Sequence, residues 1–249
     1  MDNIINSTVH FGLARAVKAS LSQQARYEMI ANNLANVETP GFKADRFSFS
    51  ETLNEVVTTD LSQGQTRHTG NKLDLAVDGV NFFTVETPQG TRYTRNGTFT
   101  LNNENVLVTK NGDPVLGKNG PITIEGNDLV IDEDGNVWVD GANVDTLKIA
   151  QFGGDSPDAE WIFGAEGATS EKLKKSGNSY FKYDGDENEV KEAEKFKVSQ
   201  GYIEQSNVLV MSEMVRLIET QRNFESFNKI LQTFVETDTK ATNEVGKLV

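Results

Sequence analysis

Two short acidic stretches carry residues of the kind that hold a calcium ion. Asp132-Glu133-Asp134-Gly135-Asn136 and Asp184-Gly185-Asp186-Glu187-Asn188-Glu189 place carboxylates at alternate positions. A helix–loop–helix calcium site needs its glycine at the sixth place and a bidentate Glu at the loop's end, and neither stretch has both. Both read as hairpin turns. The chain has two histidines, His10 and His68, and no cysteine. That excludes disulfides, thiolate zinc sites and cysteine nucleophiles, and it leaves a metalloenzyme or a Ser–His hydrolase two imidazoles to work with. Asp155-Ser156-Pro157 shows no partner pattern for nucleophilic catalysis. Paired carboxylates for glycoside hydrolysis can be found in any chain with 37 acidic residues, so their presence decides nothing. Lys172-Leu173-Lys174-Lys175 is a basic run in acidic surroundings and reads as a solvated loop. The expectation is therefore no catalytic residue, no metal and no cofactor.

Charge points the same way. The net charge is −13 over 249 residues. Residues 1–39 are neutral and residues 203–249 sum to −2, so residues 40–202 carry −11. Such a body disfavours nucleic acid and anionic membranes as partners. No apolar run approaches the roughly 18–20 residues that span a bilayer, which predicts no membrane insertion. The start, MDNIINSTVHFG, has neither a basic region nor an apolar core, and no cleaved secretory signal is expected.

The elements lie at the two ends. Leu217, Thr220, Phe224, Phe227, Leu231, Phe234, Asp238, Ala241, Val245 and Leu248 alternate steps of three and four, and eight of these ten are apolar. That is the stripe of a coiled-coil seam. From Gln205 to the end there is no Pro and one Gly, Gly246, so helix is expected from about Gln205. Residues 2–34 read as a second helix, with Ile5, Val9, Leu13, Val17, Leu21, Ala25 and Met29 at fourfold spacing. Small residues such as Ala14, Ala16, Ala19 and Ser20 interleave with this stripe and permit close helix approach. The helix stops at Asn36–Phe42, where Pro40 pushes Thr39 out of helical geometry and Gly41 supplies a flexible turn. Phe47, Phe49, Leu53 and Val57 fit a short helix or an extended arm, and Gln63-Gly64-Gln65 a turn.

From Lys72 the period changes to two. Leu73, Leu75 and Val77 alternate, and Phe82, Phe83 and Val85 follow Gly79. Turn dipeptides then recur at Asn96-Gly97, Asn111-Gly112, Asn119-Gly120, Gly126-Asn127, Asp134-Gly135 and Asp140-Gly141. Between them lie Phe99–Leu101, Val106–Thr109, Ile122–Ile124, Leu129–Ile131 and Val137–Val139, with a further strand at Leu147, Ile149 and Phe152. This spacing predicts many short antiparallel strands in a sandwich or barrel-like domain. Residues 153–195 read as loops with one or two strands. The fold class is α+β, with long terminal helices pairing as a coiled-coil-like bundle around an inserted, mainly antiparallel β domain. The expected division is a helical assembly domain at 1–35 and 203–249, connecting regions at 36–71 and 196–202, and a β-rich outer domain at 72–195.

Several of these segments resemble the bacterial flagellar axial proteins of the rod and hook. The likeness runs from Ala31-Asn32-Asn33-Leu34-Ala35-Asn36-Val37-Glu38-Thr39-Pro40-Gly41-Phe42-Lys43 through Leu73–Gly79 with Phe82–Val85, and on through Arg92–Leu101. It resumes at Gln200–Val208, Glu213-Met214-Val215 and Gln221-Arg222-Asn223-Phe224-Glu225, where Phe224 stands in place of the family's Tyr. The resemblance implies a structural subunit exported unfolded through the flagellum-specific apparatus without a cleaved signal. It further implies assembly with copies of itself and other rod proteins into a hollow tube crossing the periplasm, helices inside and β domain outside. Assembly contacts are then expected at Val9, Leu13, Val17, Leu21, Leu217, Phe224, Phe227, Leu231 and Phe234, and the signature turn at Asn32, Asn33, Asn36, Pro40, Gly41 and Phe42. Gly120-Pro121-Ile122, Asp132–Gly135 and Val144–Leu147 are most similar to the proximal-rod members of the family, with distal-rod and hook-type members as the alternative. From other classes, a cell-wall glycosidase needs a clustered constellation of side chains, and a monomeric β-rich binding module needs no terminal coiled coil.

Overall fold

The computed structural model describes residues 2–49, 55–152, 172–186, 190–193 and 195–245. Two helices and a large set of antiparallel strands make an α+β protein. The chain divides into two compact units, one holding the ends and residues 45–58, the other residues 36–44 and 59–208.

In the first unit, helix α1 runs Asp2–Ala35 and helix α2 runs Val210–Val245. They pack against each other. Asn33 near the end of α1 reaches Glu213 near the start of α2, so the pair is antiparallel. Asp45–Phe49 and Glu55–Thr59 form a two-stranded sheet, so those two stretches are extended chain. Leu53 lies outside the described residues.

Helix α2 starts five residues later than its pattern predicts. Residues 205–209 are helix-compatible by composition, but their polar groups are already engaged elsewhere. Gln205 N donates to the Gln65 carbonyl and Asn207 N to the Phe42 carbonyl. The Gln205 bond continues the ladder between Tyr202–Glu204 and Thr66–His68, so the chain is still strand-paired at Gln205.

In the second unit the described strands fall into several antiparallel sheets. One six-stranded antiparallel sheet has the spatial order Leu173–Lys175, Tyr180–Tyr183, Gly90–Thr94, Asn81–Thr87, Ile149–Gln151, Lys191–Glu192. A three-stranded sheet joins Leu129–Ile131, Asn136–Val139 and Ala142–Thr146. The remaining strands pair in twos. Residues 172–193 thus supply three strands where one or two were expected, while Trp161 and Phe163 lie outside the described residues.

Consecutive phenylalanines make sense on the central strand. Phe83 and Val85 point into a core with Leu75, Leu107, Val137 and Leu147. Phe82 points the other way, into a second core with Tyr93, Phe152 and Phe181. A strand covered on both faces is apolar without alternation. Asp140-Gly141 and Asp134-Gly135 make the tight connections of the three-stranded sheet, with Gly135 and Gly141 at positive φ. Ile122–Ile124 is buried but forms only an isolated bridge at Thr123. Asn96-Gly97 is a point of close approach instead of a hairpin turn: Leu75 N donates to the Gly97 carbonyl, and a Cβ on Gly97 would collide with the Leu75 carbonyl. Gly64 likewise passes against the Gln205 carbonyl, and Gln63-Gly64-Gln65 is not a turn.

Candidate assembly site

The two helices pack against each other, and the covered positions on α2 follow three-and-four spacing. On α2, Glu213 and Thr220 are buried and Leu217, Phe224, Phe227 and Leu231 are half-buried. On α1 the buried positions are Ala16, Ile30 and Asn33, with Ala19, Ser20 and Gln23 half-buried. Small residues Ala16, Ala19 and Ser20 thus share the covered face of α1 with the larger Met29, Ile30 and Leu34. Of the fourfold stripe of α1, Met29 is half-buried, whereas Val17 is 42% exposed and Leu21 61%. Phe234, at 37%, is also exposed. Val9 and Leu13 lie on α1 where only the backbone is described. A second apolar face remains open on α2, with Met211, Met214, Val215 and Ile218 all exposed.

Asn33 explains part of the signature at the end of α1. Its Oδ1 accepts from Asp45 N at 3.0 Å and its Nδ2 donates to the Asp45 carbonyl at 2.8 Å, so the amide copies a strand neighbour. Asn32 beside it is exposed. The turn itself belongs to the second unit. Thr39 N donates to the Asn36 carbonyl at 3.1 Å, Thr39 Oγ1 lies 3.2 Å from Asn36 Oδ1, and Phe42 N donates to the Thr39 carbonyl. Gly41 has φ +67°, and a Cβ there would collide with the Arg95 and Asn96 backbone. Phe42 is buried with Ala44 and Val208, Val37 packing alongside.

Beside that turn lies an arrangement of charges that the sequence reading left out. Glu204 accepts from Lys43 Nζ at 2.7 Å through Oε1, and its Oε2 lies 2.7 Å from Arg95 Nη2. All three side chains are at most 1% exposed. Gly64 N adds a bond to Oε1 at 2.8 Å, Lys43 Nζ donates to the Ser62 carbonyl at 2.6 Å, and Arg95 Nη1 donates to the Asn81 carbonyl. The Glu204 backbone carbonyl accepts from Gly41 N. Burial pulls the Lys43 ammonium down to about 8, against the opposing pull of Glu204 and with Arg95 adding to the fall. Burial also lowers the Arg95 guanidinium, again against Glu204. Two cations on one carboxylate is a costly arrangement whose retention speaks for specificity more than for stability. Asn207 closes the same region: Oδ1 accepts from Ala44 N at 2.7 Å and Nδ2 donates to the Asp60 and Ser62 carbonyls. The available signal was three ionisable residues set among Gly, Phe and Ile in segments far apart in sequence.

The first acidic loop is occupied by its own turn. Asp132 accepts from Asp134 N, Asn136 N, Asn136 Nδ2 and Trp138 Nε1. Burial raises its carboxyl, but these donors outweigh that and hold it below its ordinary value. Asp184 binds Lys174 and Lys182, which hold it at about 2. His68 sits on a strand edge to face with Tyr202, centroids 4.8 Å apart. No group of three His, Asp or Glu suited to a metal exists among the described residues, and no helix there is long and apolar enough to cross a membrane.

Three family descriptions match in chain order. Residues 15–43 match "Flagella basal body rod protein", residues 76–139 match "Flagellar hook protein FlgE/F/G D1 domain", and residues 199–244 match "Flagellar basal body rod FlgEFG protein C-terminal". Lys43 falls in the first, Arg95 in the second and Glu204 in the third. Among curated relatives, the flagellar basal-body rod protein FlgF of Caulobacter vibrioides is 29% identical over 98% of this chain and all of its own length. The rod protein FlgG of Bacillus subtilis is 29% identical over 84% of this chain and 89% of its own. FlgG of Buchnera aphidicola subsp. Baizongia pistaciae is 30% identical over 85% of this chain and 91% of its own. With matches at both ends and in the middle, and a buried ion cluster tying the three segments together, the chain belongs to the flagellar basal-body rod protein family.

Proposed function

We propose that this structural rod subunit polymerises through α1 and α2, with copies of itself and of other rod proteins, into the hollow drive shaft that crosses the periplasm. The observation that carries the reading is the helix pair: after packing on each other, the two helices still leave Val17, Leu21, Met211, Met214, Val215 and Ile218 exposed. Exposed apolar stripes on two sides of one element make heterologous contacts, and such contacts build filaments when they do not close. The helices with residues 45–58 act as the assembly domain, and the strand-rich unit faces outward. Delivery is through the flagellar export apparatus. The subunit works as scaffold, without catalysis. Its place is in the proximal rod, on the resemblance of residues 120–122, 132–135 and 144–147, with the distal rod as the second reading.

Electron microscopy of basal bodies from a strain lacking the chain tests this. Rods that stop short at their inner end are expected. Rods missing only their outer portion would move the subunit to the distal rod, and intact rods with normal motility would overturn the reading.

A further inference from the structure

The three-stranded sheet carries a feature that rod assembly through helices does not use. Val130 and Trp138 are direct cross-strand partners, and both point outward, 47% and 36% exposed. On the third strand Asn143 is the partner of Trp138, and the bulge opposite Val137/Trp138 sets Val144 next to it, 44% exposed, while Val137 and Asp145 are buried beneath. The Trp138 indole is held in place, its Nε1 donating to Asp132 Oδ2 at 3.2 Å. That leaves the ring face open and puts a carboxylate at its edge. Residues 119–147 hold seven acidic residues and neither Lys nor Arg. Of the cations nearby, Lys72 and Lys197 come from elsewhere and are paired with Asp128 and Glu133, and Lys118 lies beside Thr146 at the end of the third strand.

We propose that this Val130–Trp138–Val144 face docks a basic protein segment, with an Arg or Lys side chain stacked on the Trp138 indole and its apolar neighbours against the two valines. A fixed, partly exposed indole is the best ring for a cation, and Trp and Arg are the side chains that anchor interfaces most often. The surrounding acids steer cationic partners and repel anionic ones. A second copy of this chain would bring the same acids to the contact, so the occupant is a different, basic protein. The inference rests on the strand-rich unit alone, and its failure would leave the reading of the helices untouched.

The test uses the full-length chain labelled with nitrogen-15 and a short synthetic peptide of alternating Arg and Leu, with a Glu–Leu peptide of equal length as control. The Trp138 indole N–H resonance should move on adding the Arg–Leu peptide and stay still with the control. Trp138→Ala should weaken binding about tenfold or more, and Trp138→Phe, which keeps an aromatic face, should stay within a few-fold of the natural chain. Equal binding by Trp138→Ala, or binding of the Glu–Leu peptide, overturns the proposal. So does a loss in Trp138→Phe as large as in Trp138→Ala while both variants melt like the natural chain.

Discussion

Glu204 is the one carboxylate between two buried cations, and it gives the sharpest test of a single residue. Glu204→Gln removes the counter-charge of Lys43 and Arg95 together, and breaking a buried pair in this way costs about 3–5 kcal/mol. Urea unfolding of the strand-rich unit should show that loss, and adding Lys43→Met should recover part of it by deleting one stranded cation. Protonation makes a second test. The folded Lys43 titrates at about 8 against 10.5 for the free side chain, so the unfolded chain binds the extra proton between those values. Stability therefore rises with pH, by about 2 kcal/mol from pH 8 to 10. Urea midpoints measured across that range should climb in the natural chain and stay level in Lys43→Met. Above pH 10 the Tyr180 phenol, raised by burial, opposes further gain. Gly41→Ala meets both a positive φ and the Arg95–Asn96 backbone, and should cost about 2–3 kcal/mol in the same assay. The ion cluster was not legible beforehand because periodicity reports faces of elements. It says nothing of which charged residue a distant segment will cover.

At the scale of elements the pattern was read well where local rules dominate. Helix α1 ends at Ala35, one residue past its predicted limit, because Asn36, Pro40 and Gly41 leave the chain no helical continuation. Strands Phe99–Leu101 and Leu129–Ile131 coincide with the apolar runs that predicted them. The misreadings arise where tertiary contacts outweigh local preference. Gln205–Leu209 is helix-permitting, yet its amides serve Gln65 and Phe42. Of the fourfold stripe on α1, Val17 and Leu21 are exposed and Met29 is half-buried. Leu231 tests the seam between the helices. It is half-buried on α2, and Leu231→Asp places an unpaired carboxylate against apolar neighbours. Because Leu231 lies outside the strand-rich unit, the melting of that unit should be unchanged while rods fail and cells are non-motile. A large fall in that unit's melting temperature would mean that the stripe belongs to a self-contained core.

For the whole molecule, charge and stickiness are separated along the sequence. The −11 carried by residues 40–202 repels like subunits, whereas the helices near both ends are close to neutral and carry the exposed apolar faces. Two consequences oppose each other as salt is added. Repulsion between acidic bodies extends about 30 Å at 0.01 M ionic strength and about 8 Å at 0.15 M, so added salt removes an obstacle to self-association. Apolar contact between helices is not weakened by this screening, and it strengthens when the salt is sulfate. Self-association of the purified chain, followed by sedimentation at pH 7, should therefore increase from 0.01 M to 0.15 M sodium chloride and increase further in sulfate. Met214→Asp, on the exposed face of α2, should abolish the increase, since it puts a carboxylate where an apolar contact must form. The basic peptide proposed for the Trp138 face should respond in the reverse sense, its binding falling over the same salt range. Association that weakened with salt in the natural chain would mean that subunits meet through opposite charges, and the assembly surface would then have to be sought on the strand-rich unit instead of on the helices.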